Sequence, residues 1–131
     1  MACLGMVTIL VDNYDRAIEY FTRCLGFSLV EDTVLSAEKR WIVIAPDLLD
    51  GTRILLAQAS SPSQELAIGN QTGGRVALFL YTANFDSDYT KMLAEGVEFI
   101  ETPRSETFGK VVVFKDLYGN KWDFIERIST S

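Results

Sequence analysis

The chain has 131 residues, 48% of them hydrophobic and 23% charged, which is enough apolar material to bury a core in one domain-sized body. Its formal net charge of -6 excludes the basic footprint that nucleic acid binding requires, and no run of roughly 18 apolar residues predicts a membrane span. The absence of histidine excludes Ser/His/Asp and Cys/His nucleophilic systems.

The first half of the chain predicts a strand, a helix and three further strands. The apolar stretches interpreted as strands are Leu4 to Val11, Phe27 to Thr33, Arg40 to Ala45 and Arg53 to Ala59. Between the first two, apolar residues recur at helical spacing, and we expect Asp15 to cap this helix and Gly26 to end it. Pro46 to Gly51 predicts the turn between the third and fourth strands.

A change in composition then marks a connection. Ser60 to Gly74 is rich in serine and glycine, and Pro62 predicts the start of a short helix that runs through Ile68. This segment separates two halves of similar design.

The second half repeats the order of the first. The predicted strands are Arg75 to Thr82, Val97 to Glu101, Val111 to Val113 and Trp122 to Ile125. Asp86 is the expected helix cap and Gly96 the expected helix end. Pro103 to Gly109 is polar, which predicts a flexible lip, and Asp116 is interpreted as a turn residue that holds backbone amides.

Equivalent residues in the two halves indicate an internal duplication, because their spacing drifts by single residues as loop-length changes would produce. These pairs are Asp15 and Asp86, Gly26 and Gly96, Asp47 and Asp116, and Gly51 and Gly119. We expect one domain over 1–131, made of a βαβββ module at 1–59, a connection with a short helix at 60–74 and a second βαβββ module at 75–131.

The duplicated order, the helix exit Leu25-Gly26-Phe27 and the turn Asp116-Leu-Tyr-Gly-Asn120 resemble the vicinal oxygen chelate superfamily, which includes glyoxalase I, extradiol dioxygenases and fosfomycin- and bleomycin-resistance proteins. The resemblance implies an α+β fold, in which two tandem βαβββ modules form a curved mixed sheet around a central cavity. It also implies a homodimer, because several members complete their sites across a subunit contact.

The metal enzymes of this superfamily take one ligand from each of four positions, which correspond here to Met6, Leu55, Arg75 and Asp123. Of these, Asp123 alone holds an oxygen or nitrogen ligand, and one carboxylate cannot hold Zn²⁺, Ni²⁺ or Fe²⁺. We therefore expect no metal, no other cofactor and no standard metal-dependent glyoxalase I activity.

Strand alternation places these four positions on the face opposite the helices, where Arg75 and Asp123 are expected to be buried neighbours. Such a pair is either a structural plug for a lost metal site or a functional pair in which Arg75 binds an anionic group that Asp123 orients. Phe79 and Tyr81 lie on the same face, where they either fill the core or form the wall of a pocket. The indole of Trp41 beside Arg40 suits either a planar ligand or a dimer contact. The predicted ligand-binding residues are Met6, Thr8, Trp41, Leu55, Arg75, Phe79, Tyr81 and Asp123.

Three functions fit these residues. The first is a metal-free, bleomycin-resistance-like protein that binds a small molecule in the sheet cavity. The second is a divergent lyase or isomerase with Asp123 as the catalytic base and Arg75 as the catalytic anion stabiliser. The third is a dimeric interaction protein with no small ligand. The net negative charge repels an anionic ligand, so such a ligand would need a local positive potential from Arg75, Arg40 and Arg53. A cationic or planar aromatic ligand would not, and the ligand class stays open.

The two cysteines, Cys3 and Cys24, form no disulfide framework, and the first twenty residues include Asp12, Asp15 and Glu19 rather than a leader pattern. The sequence therefore predicts reduced thiols and a cytoplasmic protein with no nucleic acid or membrane partner.

Overall fold

The computed structural model describes residues 1–49 and 51–127. Asp50, which falls in the predicted turn Pro46 to Gly51, lies outside the described residues. The chain divides into two compact units, Met1–Ile68 and Gly69–Ser131. The folding of both modules as one domain stays a prediction.

The first unit has the predicted order of strand, helix and three strands. Its elements are β1 (Met6–Val11), α1 (Tyr14–Glu19), which continues as a π-helical turn (Tyr20–Cys24), β2 (Ser28–Val34), β3 (Arg40–Ala45), β4 (Arg53–Gln58) and α2 (Pro62–Ala67). The strands form a mixed sheet in the order β1-β4-β3-β2, in which β1 is parallel to β4 and the other neighbours are antiparallel.

Helix α1 begins earlier than the sequence predicted. Asn13, rather than Asp15, is the N-cap, and its side chain accepts a hydrogen bond from the amide of Arg16 at 2.9 Å. Either residue type caps a helix well, so the correct choice depended on where the chain leaves β1. The helix buries Ala17 and Phe21 against the side of the sheet that faces it.

The second unit repeats this order with one addition. Its elements are β5 (Val76–Thr82), α3 (Phe85–Ala94), β6 (Glu98–Phe99), β7 (Arg104–Glu106), β8 (Gly109–Lys115) and β9 (Lys121–Glu126). The sheet order is β5-β9-β8-β6, with β5 parallel to β9 and β7 paired to β8. The segment expected to be a flexible lip therefore contains a short strand. The helix cap is Asn84 rather than Asp86.

Aromatic rings fill the side of the second sheet that α3 covers. Phe85 stacks on Phe124 with centroids 5.1 Å apart, and Phe114 stacks on Trp122 at 5.6 Å. All four side chains are almost completely buried. Offset rings at these distances add stabilisation beyond the area that they bury.

The turn between β8 and β9 is organised by Asp116, as the sequence predicted. Its side chain is only 6% exposed. One carboxylate oxygen accepts from the amides of Tyr118 (2.9 Å) and Asn120 (3.0 Å), and the other accepts from Asn120 Nδ2 and Trp122 Nε1, both at 3.0 Å. This carboxylate ties the turn to the aromatic core.

The predicted α+β class and the repeated βαβββ order are confirmed, with β7 as an insertion in the second repeat. Across the part of the chain that the structure describes, no helix is both long enough and apolar enough to cross a membrane.

Candidate functional site

Each sheet has one face that its helix covers and one that it does not. In the first sheet, Thr8 is paired in register with Leu55, and Leu55 with Val43. Met6 and Trp41 lie on this uncovered face as well, because residues two apart along a strand point to the same side. Thr8 is exposed, whereas Met6, Trp41 and Leu55 are half-buried. The structure therefore brings the four predicted residues of the first module onto one face.

The uncovered face of the second sheet is called here the open face. Its central row is Phe79, Asp123 and Val113, and the next row is Tyr81, Ile125 and Val111. Phe79 and Tyr81 are each 57% exposed, whereas Ile125 and Val111 are buried. Two exposed rings thus stand beside a buried aliphatic floor, with Asp123 next to them.

Arg75 does not join this group. It is exposed and precedes β5, and the pairing of β5 with β9 shifts by one residue between Val76 and Leu78. This bulge moves Arg75 out of phase with Phe79, so the expectation that Arg75 and Asp123 are buried neighbours is wrong. Within residues 1–49 and 51–127, Arg75 forms no ion pair.

The charges that act on Asp123 come instead from the segment around β7. Burial raises the pKa of the Asp123 carboxyl above its ordinary value, while Arg104 lowers this pKa and Glu101 raises it. Arg104 binds Glu101 (Nε to Oε2, 3.2 Å) and Glu106 (Nη1 to Oε1, 2.9 Å). Glu101 also accepts from the amide of Val113 at 3.0 Å. Sequence reasoning missed this cluster, because its only signal was a polar stretch.

Arg40 belongs to a different place from its neighbour Trp41. Its guanidinium donates to Asp32 and Asp15, at 2.7 Å from Nη2 and 2.8 Å from Nη1, and lies 5.4 Å from the ring centre of Tyr14. Hydrogen bonds to Asp32 first, and then to Asp15, raise the pKa of Arg40 further above its ordinary value. Two carboxylates thus already occupy the guanidinium of Arg40, and the contact of Trp41 with a planar ligand stays a prediction.

A concavity of about 580 Å³ lies beside Arg40 in the first unit, and the sequence did not predict it. Its walls are largely polar and include Tyr14, Glu38, Gln58 and Ser60. The side chain of Gln58 accepts from the amide of Tyr14 at 3.3 Å, which joins the end of β4 to the start of α1. The concavity thus belongs to the helix-covered side of the first sheet.

The residues at the superfamily's ligand positions do not fit a metal ion. Met6 supplies a thioether, Leu55 no donor atom, and Arg75 a permanent positive charge, which leaves the single carboxylate of Asp123. No group of three or more His, Cys, Asp or Glu side chains suited to a metal occurs among the residues described. What the open face offers chemically is apolar contact, ring stacking and one carboxylate.

Comparison with known proteins agrees with this architecture. The family model for the Glyoxalase/Bleomycin resistance protein/Dioxygenase superfamily matches residues 4–124. An uncharacterized protein of Shewanella frigidimarina (strain NCIMB 400) is 45% identical over 121 residues, which are 92% of this chain and 90% of that protein.

Among solved structures, UcmS2 is similar with a TM-score of 0.82 and 26% identity, over 95% of this chain and 98% of that chain. TnmS3, an antibiotic binding protein from Streptomyces sp. CB03234, is similar with a TM-score of 0.77 and 22% identity, over 98% of both chains. The fold of the chain is thus shared over nearly its whole length.

Proposed function

Because the chain belongs to the glyoxalase/bleomycin resistance protein/dioxygenase superfamily, as its sequence predicted, we propose that it binds a small molecule on the open face without a metal ion. Binding involves no covalent chemistry. Apolar and aromatic contact supplies the affinity, and Asp123 fixes the orientation of the ligand.

The observation that carries this proposal is the exposure of Phe79 and Tyr81, at 57% each, on adjacent rows of one sheet face. Large rings are usually buried, and two neighbouring exposed rings beside a buried floor mark a surface that something covers. Rings also stack on planar molecules at a low cost in conformational entropy, since each has only two rotatable side-chain bonds.

Two further observations support a binder over a metal enzyme. TnmS3 shows that a chain of this fold binds an antibiotic, which is a small molecule. The donor atoms at Met6, Leu55, Arg75 and Asp123 do not make a metal site, so the proposed function uses none.

The test is a thermal-shift screen of planar and aromatic compounds, followed by calorimetric titration of each hit after dialysis against a chelator. Phe79→Ala and Tyr81→Ala are each expected to weaken binding by roughly tenfold. The stacking of one planar nucleic-acid base on one aromatic side chain is worth about 1–3 kcal/mol, and a planar ligand stacks in the same way. Leu93→Ala is the matched control, because Leu93 is 52% exposed on α3, which covers the other face. Equal effects of all three substitutions would refute the site.

The raised pKa of Asp123 favours one second function, in which this carboxylate abstracts a proton from a bound substrate, as in a lyase or isomerase. Arg75 lies out of phase and does not serve as its anion stabiliser. Incorporation of solvent deuterium into carbonyl compounds, lost in Asp123→Asn while the fold is retained, is the result that this function predicts.

We propose further that the protein is a cytoplasmic homodimer. Cys3 is an exposed free thiol, which suits a reducing compartment. Sedimentation velocity measures the dimer directly, and a monomer across the micromolar range would contradict it.

A further inference from the structure

We infer that the ligand of the open face is a planar aromatic cation, whose positive group pairs with the Asp123 carboxylate while its rings lie on Phe79 and Tyr81. This inference rests on the proposed function and names the chemical class of its ligand. A cationic ligand differs from the anionic one that was expected if Arg75 lay beside Asp123.

The first argument concerns the surroundings of the Asp123 carboxylate. It is half-buried between Phe79 and Val113 in the central row of the sheet. In the described part of the chain, its carboxylate accepts no hydrogen bond and forms no salt bridge. A half-buried charge without a partner is costly, and a ligand cation that pairs with it removes much of that cost.

The nearby guanidinium does not fill this role. Arg104 donates from Nε and Nη2 to Glu101 and from Nη1 to Glu106, so three of its five N–H groups are already used. Two glutamates thus face one arginine, and the cluster next to Asp123 is negative as a whole.

The lysines of the same face lie further along the strands. Lys121 is two residues before Asp123, which is roughly 6–7 Å along a strand, and its ammonium group donates to the carbonyl of Gly74 at 3.2 Å. Lys115 is level with Lys121 at the same end of the sheet. Neither lysine is among the charges that act on Asp123.

The second argument concerns the shape and charge of the ligand. Phe79 and Tyr81 are two residues apart on one strand, so their rings are separated by about 7 Å, which is the span of a fused two- or three-ring system. The faces of these rings carry partial negative charge and attract cations. An anion is disfavoured at short range by Asp123 and Glu101, and at long range by the net charge of -6.

The experiment compares three planar dyes of similar size by fluorescence titration at low ionic strength. Proflavine is a cation, acridone is neutral and 9-anthracenecarboxylate is an anion. We expect proflavine to bind the wild-type protein roughly tenfold more tightly than acridone, and the anion to bind most weakly. This ranking uses no variant, so it does not depend on how a substitution folds.

Asp123→Asn is expected to weaken proflavine binding by roughly tenfold and to change acridone binding by less than about twofold. Asp86→Asn is the matched control, since it removes the same charge at the start of α3, where Asp86 pairs with Lys110. This control is expected to change neither affinity.

The outcomes separate the inference from the function on which it rests. If proflavine and acridone bind equally and Phe79→Ala weakens both, the ligand class is wrong and the proposed function stands. If the anion binds most tightly, the inference is also overturned. If no dye binds, or if Phe79→Ala changes nothing, the proposed function fails and the inference fails with it.

Discussion

The two hairpin turns occupy equivalent places in the duplicated modules, yet only one of them is part of a core. Asp116 is 6% exposed and its carboxylate accepts four hydrogen bonds. Asp47 is exposed and, among the described residues, accepts one hydrogen bond, from the amide of Leu49 at 2.9 Å. The same residue type at the same position therefore serves two different structural purposes.

The difference comes from the residues that follow each aspartate. Asn120 and Trp122 bring two side-chain donors to Asp116, and the Trp122 indole is itself buried. In the first module Ile54 stands where Trp122 stands in the second, since Gly51 corresponds to Gly119, and the buried side chain of Ile54 carries no hydrogen-bond donor. A buried carboxylate is tolerated only when donors surround it, so the second turn was built around Asp116 and the first was not.

The largest expected effect follows directly from this contrast. Asp116→Ala should lower the free energy of unfolding by about 4 kcal/mol, since four donors lose an acceptor at roughly 1 kcal/mol each. Asp47→Ala is the matched control and should cost less than about 1 kcal/mol. Urea unfolding followed by fluorescence measures both. Similar losses for the two variants would show that the turns are equivalent after all.

A second pair of variants tests how tightly the Asp116 turn is packed. A Cβ on Gly69 would overlap with the carbonyl oxygen of Tyr118, whereas a Cβ on Gly26 would meet nothing within 4 Å. Both glycines have a left-handed φ, +75° and +72°. Gly26→Ala should therefore cost only the backbone strain, about 1 kcal/mol, and Gly69→Ala about 3 kcal/mol because the turn must also shift. Thermal unfolding compares the stabilities of the two variants. Equal losses would mean that the Asp116 turn shifts away from the added Cβ at no cost.

A smaller effect concerns Asp123, which follows Asp116 in the same hairpin but accepts no hydrogen bond from the residues that the structure describes. Because burial raises the pKa of Asp123, the native state holds this proton more tightly than the unfolded state does. Its contribution to stability is fully present below the ordinary pKa of 3.8 and is lost as the pH rises through the raised, native value. The stability of the wild type relative to Asp123→Asn should therefore be greater near pH 3 than near pH 7. A difference that is independent of pH, or of opposite sign, would contradict the burial of this charge.

Regular apolar patterns made much of the fold predictable. The bounds of β3 were predicted residue for residue, because Arg40 to Ala45 is an apolar run between polar ends. The duplication predicted the order of elements in the second half. The role of Asp116 followed from its place in an Asp-Leu-Tyr-Gly-Asn turn.

Features set by tertiary contact were not predictable. Strand β7 consists of Arg104, Ser105 and Glu106, all exposed, so no hydrophobic alternation marks it. The bulge beside Val76 has no signal in the sequence, and it moves Arg75 off the sheet face that carries Asp123. The helix caps are Asn13 and Asn84 rather than Asp15 and Asp86, and the N-cap preferences of asparagine and aspartate are too similar to distinguish them.

The most direct test of metal-independent binding on the open face is an NMR titration of metal-depleted protein with a planar ligand from the screen. The largest amide shifts are predicted at Phe79, Tyr81 and Asp123, with no change in affinity when Zn²⁺ or Ni²⁺ is added. Shifts confined to the concavity beside Arg40 and Tyr14, or binding only after a metal is added, would contradict the account.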